Sequence, residues 1–395
     1  MVHNFYGSGS PSGENIVFEV ERNLLEQNGH EIRIFARYSD DIICKGMLGK
    51  IEGAISVPWN PFTVRDIKKV IDDFKPDVVH VHNTFPLISP SVFHAVGKKA
   101  AKVLTLHNYR LFCPAAIPMR EGRVCTECID KRSVMPAIEH GCYRKSRIAT
   151  APLATSVALH RMLGTWRTKV DAFIALTKFQ RDLMTSGGLV SEKIHIKPNF
   201  YPGNPEIVPF ISRSIYVVYV GRLSEEKGVL SLIKAWQMWG STAPKLKIIG
   251  DGPLRNELQS LVGKCNIEFL GQIPYEETQA QIANAQLLVL PSECFEGFPM
   301  VVREAFALGT PVAVSNLGPL PSIVNDGFNG VLFEAGNPHS MISKVRNLMD
   351  NCELLANLAS GARNSFETLY NEKANHRILI EIYEKAIAAN LRSQN

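Results

Sequence analysis

The sequence predicts an α/β protein made of two doubly wound domains. Short apolar, β-branched runs alternate with longer amphipathic stretches along most of the chain, which is the pattern of β-α-β units with parallel sheets. The chain has 395 residues, whereas a single hydrophobic core stops growing at roughly 250 to 300 residues. A stretch rich in Pro, Gly and Asn at 197–210 separates two such series and predicts the linker.

The first domain is predicted to span residues 1–198. Val2 to Tyr6, ahead of a glycine-rich turn, form either a short edge strand or the end of a strand that begins upstream. The strands predicted after this turn are HEIRIFAR (30–37), AISVPW (54–59), DVVHVHN (77–83), KVLTLHN (102–108) and AFIALT (172–177).

The second domain is predicted to span residues 199–372, and 373–395 to form a closing helix. Its predicted strands are YVVYVGR (216–222), KLKIIGDG (245–252), IEFLGQI (267–273), LLVLPS (287–292), PVAVS (311–315) and GVLFEAG (330–336). Most strands end in a polar or glycine-bearing turn. Ligands of open α/β sheets bind beyond the carboxyl ends of strands, so function is expected there.

The bulk composition is that of a soluble globular protein. It is 45% hydrophobic and 21% charged, which favours neither disorder nor a membrane protein. No apolar run approaches the roughly 20 residues that span a bilayer, and the N-terminus lacks the pattern of a signal peptide. We therefore expect a cytoplasmic protein.

Positive charge is concentrated in one part of the chain. Residues 98–170 hold 14 Lys or Arg against 4 Asp or Glu, whereas the whole chain is only +5. Such a block favours an anionic partner, either a phosphate-bearing molecule or a membrane surface. The alternative is a solvated basic face.

Two cations follow the first strand of the second domain. Arg222 and Lys227 lie in GRLSEEKG, between Gly221 and Gly228. A guanidinium pairs phosphate oxygens with its fork, and an ammonium acts as a point charge, so together they suit a diphosphate. For either cation taken alone, solvated surface is the favoured interpretation.

The stretch ECFEGFPMVVREAFALGTP (293–311) places Glu296 in a loop and Glu304 in an apolar helix. A buried carboxylate costs several kcal/mol unless it is paired or hydrogen-bonded, so both need a reason. The helix N-terminus, with free N–H groups at Met300 and Val301, predicts an anion site. Two carboxylates on either side of a diphosphate match the hydroxyl groups of a nucleotide sugar.

These motifs together resemble the retaining glycosyltransferases of family 4. The resemblance rests on Glu296 and Glu304 within EGFPMVVREAFALGTPV, on GRLSEEKG and GDGP, and on LHN at 106–108. It implies the GT-B fold, in which two Rossmann-like domains face a cleft and the C-terminal helix crosses back to the first domain. It also implies that the first domain binds the acceptor and the second the nucleotide-sugar donor.

The resemblance also implies roles for individual residues. His107 would contact the donor sugar near the reacting carbon, Glu296 would lie against that sugar, and Glu304 would bind the ribose; His107 and Glu296 are the expected catalytic residues. The residues expected at the donor are Gly13, Arg222, Lys227, Gly252, Gln272, Ile273, Glu296, Phe298, Met300, Val301 and Glu304. The adjacent glycine pair usual in the family is reduced here to Gly13 followed by Glu14.

No cofactor is expected for catalysis. Cations and a helix N-terminus can stabilise a leaving diphosphate, and the chain holds no Asp-X-Asp sequence of the kind that binds a divalent ion in other glycosyltransferases. Retention of configuration is implied by the family. A front-face route is preferred to a covalent intermediate, because Glu296 is expected at the sugar hydroxyls.

An insert at 109–147 carries Cys113, Cys125, Cys128 and Cys142. One Cys, then Cys-X-X-Cys, then a fourth is compatible with a tetrahedral structural zinc site. Reduced thiols packed in the loop and disulfides are the alternatives, although a chain with eight cysteines is too thinly supplied for a disulfide scaffold.

A basic amphipathic stretch follows at 151–171, with Arg161, Arg167 and Lys169. It suggests contact with anionic lipid or a lipid-linked diphosphate, or else an ordinary helix packed on the sheet. The leading interpretation is a glycosyltransferase of polysaccharide or lipopolysaccharide synthesis, acting on a saccharide or lipid-linked acceptor at the inner membrane face. A nucleotide-sugar 2-epimerase and a catalytically silent nucleotide-binding scaffold are the alternatives.

Overall fold

The computed structural model describes residues 1–7 and 12–393 of the chain. The chain forms two compact units. One unit comprises Met1–Pro118, Cys125–Pro198 and Asn375–Asn395, and the other comprises Met119–Val124 and Asn199–Ala374.

The strands, in chain order, are β1 Val2–Phe5, β2 Phe35–Tyr38, β3 Val78–Asn83, β4 Ala101–Leu106, β5 Met119–Arg120, β6 Arg123–Val124, β7 Ala172–Ala175, β8 Ile194–Ile196, β9 Tyr216–Val220, β10 Lys245–Ile249, β11 Ile267–Gly271, β12 Leu287–Leu290, β13 Val312–Ser315 and β14 Gly330–Phe333.

The α-helices are α1 Gly13–Gln27, α2 Asp40–Cys44, α3 Gly46–Ser56, α4 Pro61–Phe74, α5 Ser91–Val96, α6 Glu127–Asp130, α7 Met135–His140, α8 Arg147–Met162, α9 Thr165–Thr168, α10 Lys178–Ser186, α11 Val229–Trp239, α12 Arg255–Leu261, α13 Tyr275–Asn284, α14 Met300–Ala307, α15 Leu320–Ile323, α16 Pro338–Met349, α17 Cys352–Ser365 and α18 Glu372–Arg392. A π-helical turn, Phe366–Tyr370, follows α17.

The first unit holds a parallel sheet of six strands in the order β2-β1-β3-β4-β7-β8. Strand β4 is buried along its whole length, as expected for a parallel strand covered on both faces. Because β1 pairs with both β2 and β3, it is not an edge strand, and that interpretation of Val2 to Tyr6 is wrong.

Two strand assignments in this unit need correction. AISVPW at 54–59 is not a strand, since helix α3 runs to Ser56 and the N–H of Val57 still bonds to Gly53 O. A short apolar run does not separate strand from helix by its periodicity. The sequence reading also missed β8, whose three residues are too few to show an alternating pattern.

The second unit holds a parallel sheet of six strands in the order β11-β10-β9-β12-β13-β14. All six strands predicted for this domain are present. Helices α11, α16 and α17 pack on the sheet through a core that includes Trp236, Met341 and Leu358. The prediction of two doubly wound Rossmann-like sheets is thereby confirmed.

The C-terminal helix α18 packs on the first unit, as predicted. Its Leu379, Ile382 and Ala386 are fully or almost fully buried in one cluster with Leu25 of α1 and Val103 of β4. This burial returns the end of the chain to the unit that contains its beginning. Within the described residues, none of the helices is long and apolar enough to cross a membrane.

Candidate functional site

In the second unit, the loops at the carboxyl ends of β9, β10 and β12 approach each other closely, and glycines permit it. Gly228 has a φ of +66°, and a Cβ on it would lie 1.9 Å from the carbonyl oxygen of Pro291. Gly250 has a φ of +128°, and a Cβ there would lie 2.1 Å from Gly221 O. Only glycine fits both the backbone conformation and the contact, so these loops form one packed rim.

Glu296 and Lys227 form an ion pair on this rim. The Nζ of Lys227 lies 2.7 Å from Oε1 and 2.9 Å from Oε2 of Glu296, and Ser292 donates its hydroxyl to Oε1 at 2.6 Å. Burial opposes the charge of Lys227, but the Glu296 carboxylate outweighs it and raises the pKa of the ammonium. The loop carboxylate is therefore held by hydrogen bonds in a site where it is only 8% exposed.

Arg222 lies on the same loop as Lys227 but is exposed. Within the described part of the chain, its guanidinium has no hydrogen bond or ion pair, although its carbonyl oxygen accepts one from the Tyr219 hydroxyl at 2.9 Å. The rim therefore combines a paired ammonium with a guanidinium that is free to meet an anion.

Glu304 lies within α14 and is 8% exposed. Burial raises the pKa of its carboxyl group, and the neighbouring Arg303 only partly offsets this. Arg303 is itself 2% exposed, and burial lowers the pKa of its guanidinium while Glu304 opposes that shift. The helix thus carries two neighbouring buried groups of opposite charge. Each offsets part of the cost of burying the other, which helps an apolar helix to tolerate a glutamate.

The N-terminus of α14 follows directly from this rim. The first intrahelical bond runs from Val302 N to Pro299 O, so the N–H groups of Met300 and Val301 have no partner within the helix. The Phe298 ring packs against Tyr370 with centroids 5.6 Å apart. Any donor contact at Phe298 would therefore come from its backbone rather than from its side chain.

The remaining predicted donor residues of this unit also follow strand ends. Gly252 lies after β10, where its N–H bonds to the Asp251 carboxylate at 2.7 Å. Gln272 is exposed and Ile273 is half-buried, directly after β11. All three lie at the same carboxyl edge of the sheet as Glu296.

In the first unit, His107 follows β4 at the carboxyl edge of the sheet. Its Nε2 lies 3.0 Å from Nδ1 of His82, which belongs to the neighbouring strand β3. Burial, and then His82, hold the pKa of His107 well below its usual value, so the ring is neutral. A cavity of about 70 Å³ beside it is lined by His107, Asn108, Arg110 and residues of neighbouring elements.

Gly13 is the first residue of α1, and residues 8–11 of the predicted glycine-rich turn lie outside the described residues. The residue that replaces the second family glycine, Glu14, accepts a hydrogen bond from Asn108 Nδ2 at 2.8 Å. Burial raises the pKa of the Glu14 carboxyl group. Its closeness to the His107 loop was not predicted from sequence.

Sequence reasoning also missed a buried polar cluster beneath His107, formed by Glu21, His80, His82 and Lys197. All four are at most 3% exposed. The signal available was weak: a glutamate on the inner face of α1 and two histidines at alternate positions of a buried strand, DVVHVHN.

The four cysteines of the insert are all free thiols, which excludes the disulfide interpretation for this structure. Burial raises the pKa of Cys113 to about 12 and that of Cys128 to about 11, and in both cases Cys142 adds to the shift. A shared zinc ion requires sulfurs roughly 4 Å apart. Among the residues that the structure describes, no three of these thiols lie within 4.8 Å of one another, so the thiols are neighbours without forming a closed ligand set.

Comparison with known proteins covers both halves of the chain. Residues 13–202 match the family described as Glycosyltransferase Family 4, and residues 204–365 match Glycosyl transferases group 1. A glycosyltransferase of Methanocaldococcus jannaschii, MJ1178, is 36% identical over 149 residues, which are 37% of this chain and 41% of that protein.

Two further relatives have named activities. The sulfoquinovosyl transferase SQD2 of Arabidopsis thaliana is 26% identical over 84% of this chain and 61% of its own length. A teichuronic acid biosynthesis glycosyltransferase of Bacillus subtilis, TuaC, is 27% identical over 64% of this chain and 56% of its own length. The chain thus spans less than two thirds of the length of each of these three curated relatives.

Solved structures share the fold along the whole chain. A glycosyltransferase from Rickettsia africae superposes with a TM-score of 0.68 at 15% identity, over 98% of both chains. Anabaena Alr3699/HepE, solved in complex with UDP, superposes with a TM-score of 0.64 at 17% identity, over 97% of this chain and 99% of that one. The family 4 region and the group 1 region follow each other over most of the chain, and the two Rossmann-like sheets give it the GT-B fold of the glycosyltransferase structures on which it superposes.

Proposed function

We propose that this protein transfers a sugar from a nucleoside-diphosphate-sugar to a saccharide or lipid-linked saccharide acceptor, with retention of configuration. The observation that carries the proposal is the rim of the second unit, where Arg222, the Lys227–Glu296 pair and the N-terminus of α14 lie at one edge of the sheet. Cationic groups and unpaired N–H groups at one edge suit a diphosphate.

In this proposal, different residues bind different parts of the donor. Arg222, Lys227 and the N–H groups of Met300 and Val301 stabilise the negative charge that grows on the leaving diphosphate. Glu304 accepts hydrogen bonds from the ribose, and Glu296 accepts them from the sugar. Gln272 and Ile273 meet the base through their backbone, and His107 and Gly13 contribute from the first unit.

A front-face displacement is the route that we propose. In a double displacement, Glu296 would attack the anomeric carbon as a nucleophile. Both of its oxygens instead accept hydrogen bonds from Lys227, and Oε1 accepts a third from Ser292. These bonds reduce its nucleophilicity, which supports direct proton transfer from the acceptor to the leaving phosphate. The proposed chemistry needs no metal ion.

The donor that we propose is a nucleotide sugar, with a uridine nucleotide as the first candidate. Anabaena Alr3699/HepE has been solved with UDP and with UDP-glucose, and its fold is the fold of this chain. A polysaccharide or lipopolysaccharide precursor is the proposed acceptor class, in line with the teichuronic acid role of TuaC.

We further propose peripheral contact of the first unit with the inner face of an anionic membrane. The basic helix expected to make it, α8, buries Leu153, Val157 and His160, so its apolar face packs on the core. Helix α3 offers an alternative apolar surface, since Met47, Leu48 and Ile55 are 79%, 76% and 69% exposed. Lys45 at its start is paired with Glu52 at 2.7 Å.

A structural zinc ion on Cys113, Cys125, Cys128 and Cys142 is also proposed. The closeness of the thiols supports it, since Cys128 and Cys142 both act on the pKa of Cys113, and Cys142 and Cys125 both act on that of Cys128. Elemental analysis of protein purified without chelator should find one zinc per chain, lost in Cys128→Ser but kept in the control Cys265→Ser. Four reactive thiols and no zinc would refute it.

The donor proposal is tested by thermal stabilisation with UDP, GDP, ADP and dTDP and their sugars. A ligand at 100 times its Kd adds about 2.7 kcal/mol to the stability. One nucleotide sugar should stand out, and Arg222→Met should abolish its effect, whereas Arg346→Met, on helix α16 of the same unit, should not. Transfer lost in Glu296→Ala, with no isomerised free sugar nucleotide, would exclude a silent scaffold and an epimerase. No stabilisation by any nucleotide would contradict the proposal.

A further inference from the structure

Three polar side chains form a continuous buried chain beneath the site. The Nε2 of His82 lies 3.3 Å from Oε1 of Glu21, and the Nδ1 of His82 lies 3.0 Å from Nε2 of His107. The rings of the two histidines stack with centroids 5.2 Å apart and planes at 26°. The chain connects helix α1 to the histidine that follows β4.

The protons in this chain can occupy only one arrangement if Glu21 is ionised. The contact between His82 and Glu21 is too poorly aligned for a hydrogen bond, and neither Nε2 of His82 nor Oε1 of Glu21 has another hydrogen-bond partner among the described residues. A ring lone pair at 3.3 Å from a carboxylate oxygen would be repelled, so the nitrogen of His82 that faces Glu21 carries the proton. His82 is neutral, since burial lowers its pKa to about 3. Its other nitrogen, Nδ1, is therefore unprotonated and carries a free lone pair. That lone pair requires a proton on Nε2 of His107.

Glu21 is held in its ionised state by its other neighbours. Lys197 donates to Oε2 at 2.6 Å, and Nδ1 of His80 lies 3.2 Å from Oε1. Burial alone would raise the pKa of Glu21, but Lys197 and the two histidines outweigh it and hold that pKa well below its usual value. An ionised carboxylate is thus available at any working pH.

Glu21, His80 and His82 also have the composition and spacing of a metal site, since their ligand atoms lie within 4.8 Å of one another. The ammonium of Lys197 opposes that use, because a second cation would be placed beside it in a buried space. In addition, the Tyr383 hydroxyl lies 2.8 Å from Nδ1 of His80. The cluster is better explained as a fixed network of hydrogen bonds and close polar contacts.

We infer that Glu21 and His82 are positioning residues that hold His107 in the Nε2-protonated tautomer and fix the orientation of its ring. The Nδ1 atom of His107 is then unprotonated and carries a free lone pair, so it accepts a hydrogen bond from a ligand hydroxyl and does not donate one. The tautomer itself does not depend on the proposed function. Only the use that we assign to it, which is to orient His107 toward the donor sugar, rests on that function. A carboxylate that sets a histidine tautomer can affect kcat by orders of magnitude.

The chain itself supplies a matched control. His80 and His82 lie on the same strand, are 2% and 3% exposed, and contact the same oxygen of Glu21. Only His82 contacts His107, whereas His80 bonds to Thr105 Oγ1 at 2.7 Å. If the network were merely structural, His80→Phe and His82→Phe should lower kcat equally.

The test has two readouts. Long-range ¹H–¹⁵N NMR of histidine-labelled wild-type protein without ligand should show His107 protonated at Nε2, with its signals assigned by their loss in His107→Asn. In hydrolysis of UDP-glucose, or of whichever nucleotide sugar stabilises the protein most, His82→Phe should lower kcat about 10-fold to 100-fold with little change in KM. His80→Phe leaves the Lys197–Glu21 pair and the His82–His107 contact in place, so it should change kcat by less than about 3-fold, and Glu21→Gln should shift the His107 tautomer.

An Nδ1-protonated His107 in the wild type would overturn the inference, and so would equal losses of kcat in the two phenylalanine variants. If both variants fail to fold, the wild-type spectrum and Glu21→Gln decide the matter alone. The spectrum needs no turnover. Absence of all donor hydrolysis would therefore count against the proposed function without affecting the tautomer result.

Discussion

At the scale of single residues, the Lys227–Glu296 pair is the informative feature of the rim of the second unit, which is the proposed donor site. A lysine expected to bind phosphate is bound instead to a carboxylate expected to bind a sugar, at 2.7 Å and 2.9 Å. The pair keeps both charges in place in a site where Glu296 is 8% exposed. It thereby holds a cation in position before any diphosphate arrives, which is the preorganisation that charge stabilisation requires.

Removing the ammonium should weaken nucleotide binding. Lys227→Met loses a charge-assisted contact worth about 1.5 to 3 kcal/mol, and it leaves Glu296 facing the diphosphate, so the Kd for the nucleotide should rise at least 10-fold by calorimetry. The control is Lys245→Met, whose ammonium pairs with the exposed Glu268 at 2.8 Å. Equal affinities in the two variants would remove Lys227 from the donor site.

Buried histidines should make the protein less stable as the pH falls. Burial lowers the pKa of His3 to about 4, of His160 to about 4 and of His82 to about 3. Below the unfolded pKa of about 6.5, the unfolded chain therefore binds protons that the folded chain does not. Stability is fully present above pH 6.5 and is lost between pH 6.5 and about 4, at roughly 1.4 kcal/mol per pH unit for each histidine.

Urea unfolding at pH 7.5, 6 and 5 measures this dependence. His160→Gln, which removes a buried ring bonded to Pro58 O at 2.9 Å, should reduce the slope by about one histidine. A stability that is constant over this range would show that the histidines are not buried as neutral rings.

At the scale of elements, the packing of loops against each other depends on glycine. We expect Gly228→Ala to cost more than about 3 kcal/mol, because its Cβ would overlap Pro291 O and its φ is +66°. Gly164 has the same left-handed conformation, with φ +62° and ψ +26°, and a Cβ on it would meet only Thr168 Cγ2 at 3.9 Å, so Gly164→Ala should cost only the backbone strain, about 1 to 2 kcal/mol. The difference between the two free energies of unfolding measures the loop contact.

If Gly228→Ala and Gly164→Ala lower the free energy of unfolding equally, the loops are not in contact through Gly228.

The same element scale explains the errors in the first sheet. A local pattern placed a strand at AISVPW, where helix α3 runs to Ser56, and overlooked β8. Short segments take their conformation from the elements that they pack against, which a local pattern does not record.

At the scale of the whole molecule, the end of the chain completes the core of its beginning. Leu379 of α18 is fully buried in a cluster with Leu25, Val103 and Ile174. Leu379→Ala should therefore destabilise the first unit by about 2 to 5 kcal/mol, although it lies more than 170 residues beyond that unit's last strand. The exposed Leu391, 55% accessible on the same helix, is the control, and Leu391→Ala should cost less than about 0.5 kcal/mol.

Proteolysis or hydrogen exchange resolved along the chain checks where the effect appears. Leu379→Ala should increase exchange in β4 and β7 of the first sheet and leave β9 and β12 of the second unchanged. Increased exchange confined to α18 would mean that the helix is an appendage and not part of this core.

The sequence by itself determined the α/β class, eleven of the twelve strands of the two parallel sheets, and the residue types on the rim of the second unit. These depend on hydrophobic periodicity and short motifs, which are local properties of the chain. Only the tertiary structure decided that Lys227 is paired with Glu296, that Glu14 meets Asn108, and that Glu21, His82 and His107 form one chain. Such pairings arise because folding buries distant polar groups together, and each must then find its partner among whatever the fold brings within hydrogen-bonding distance.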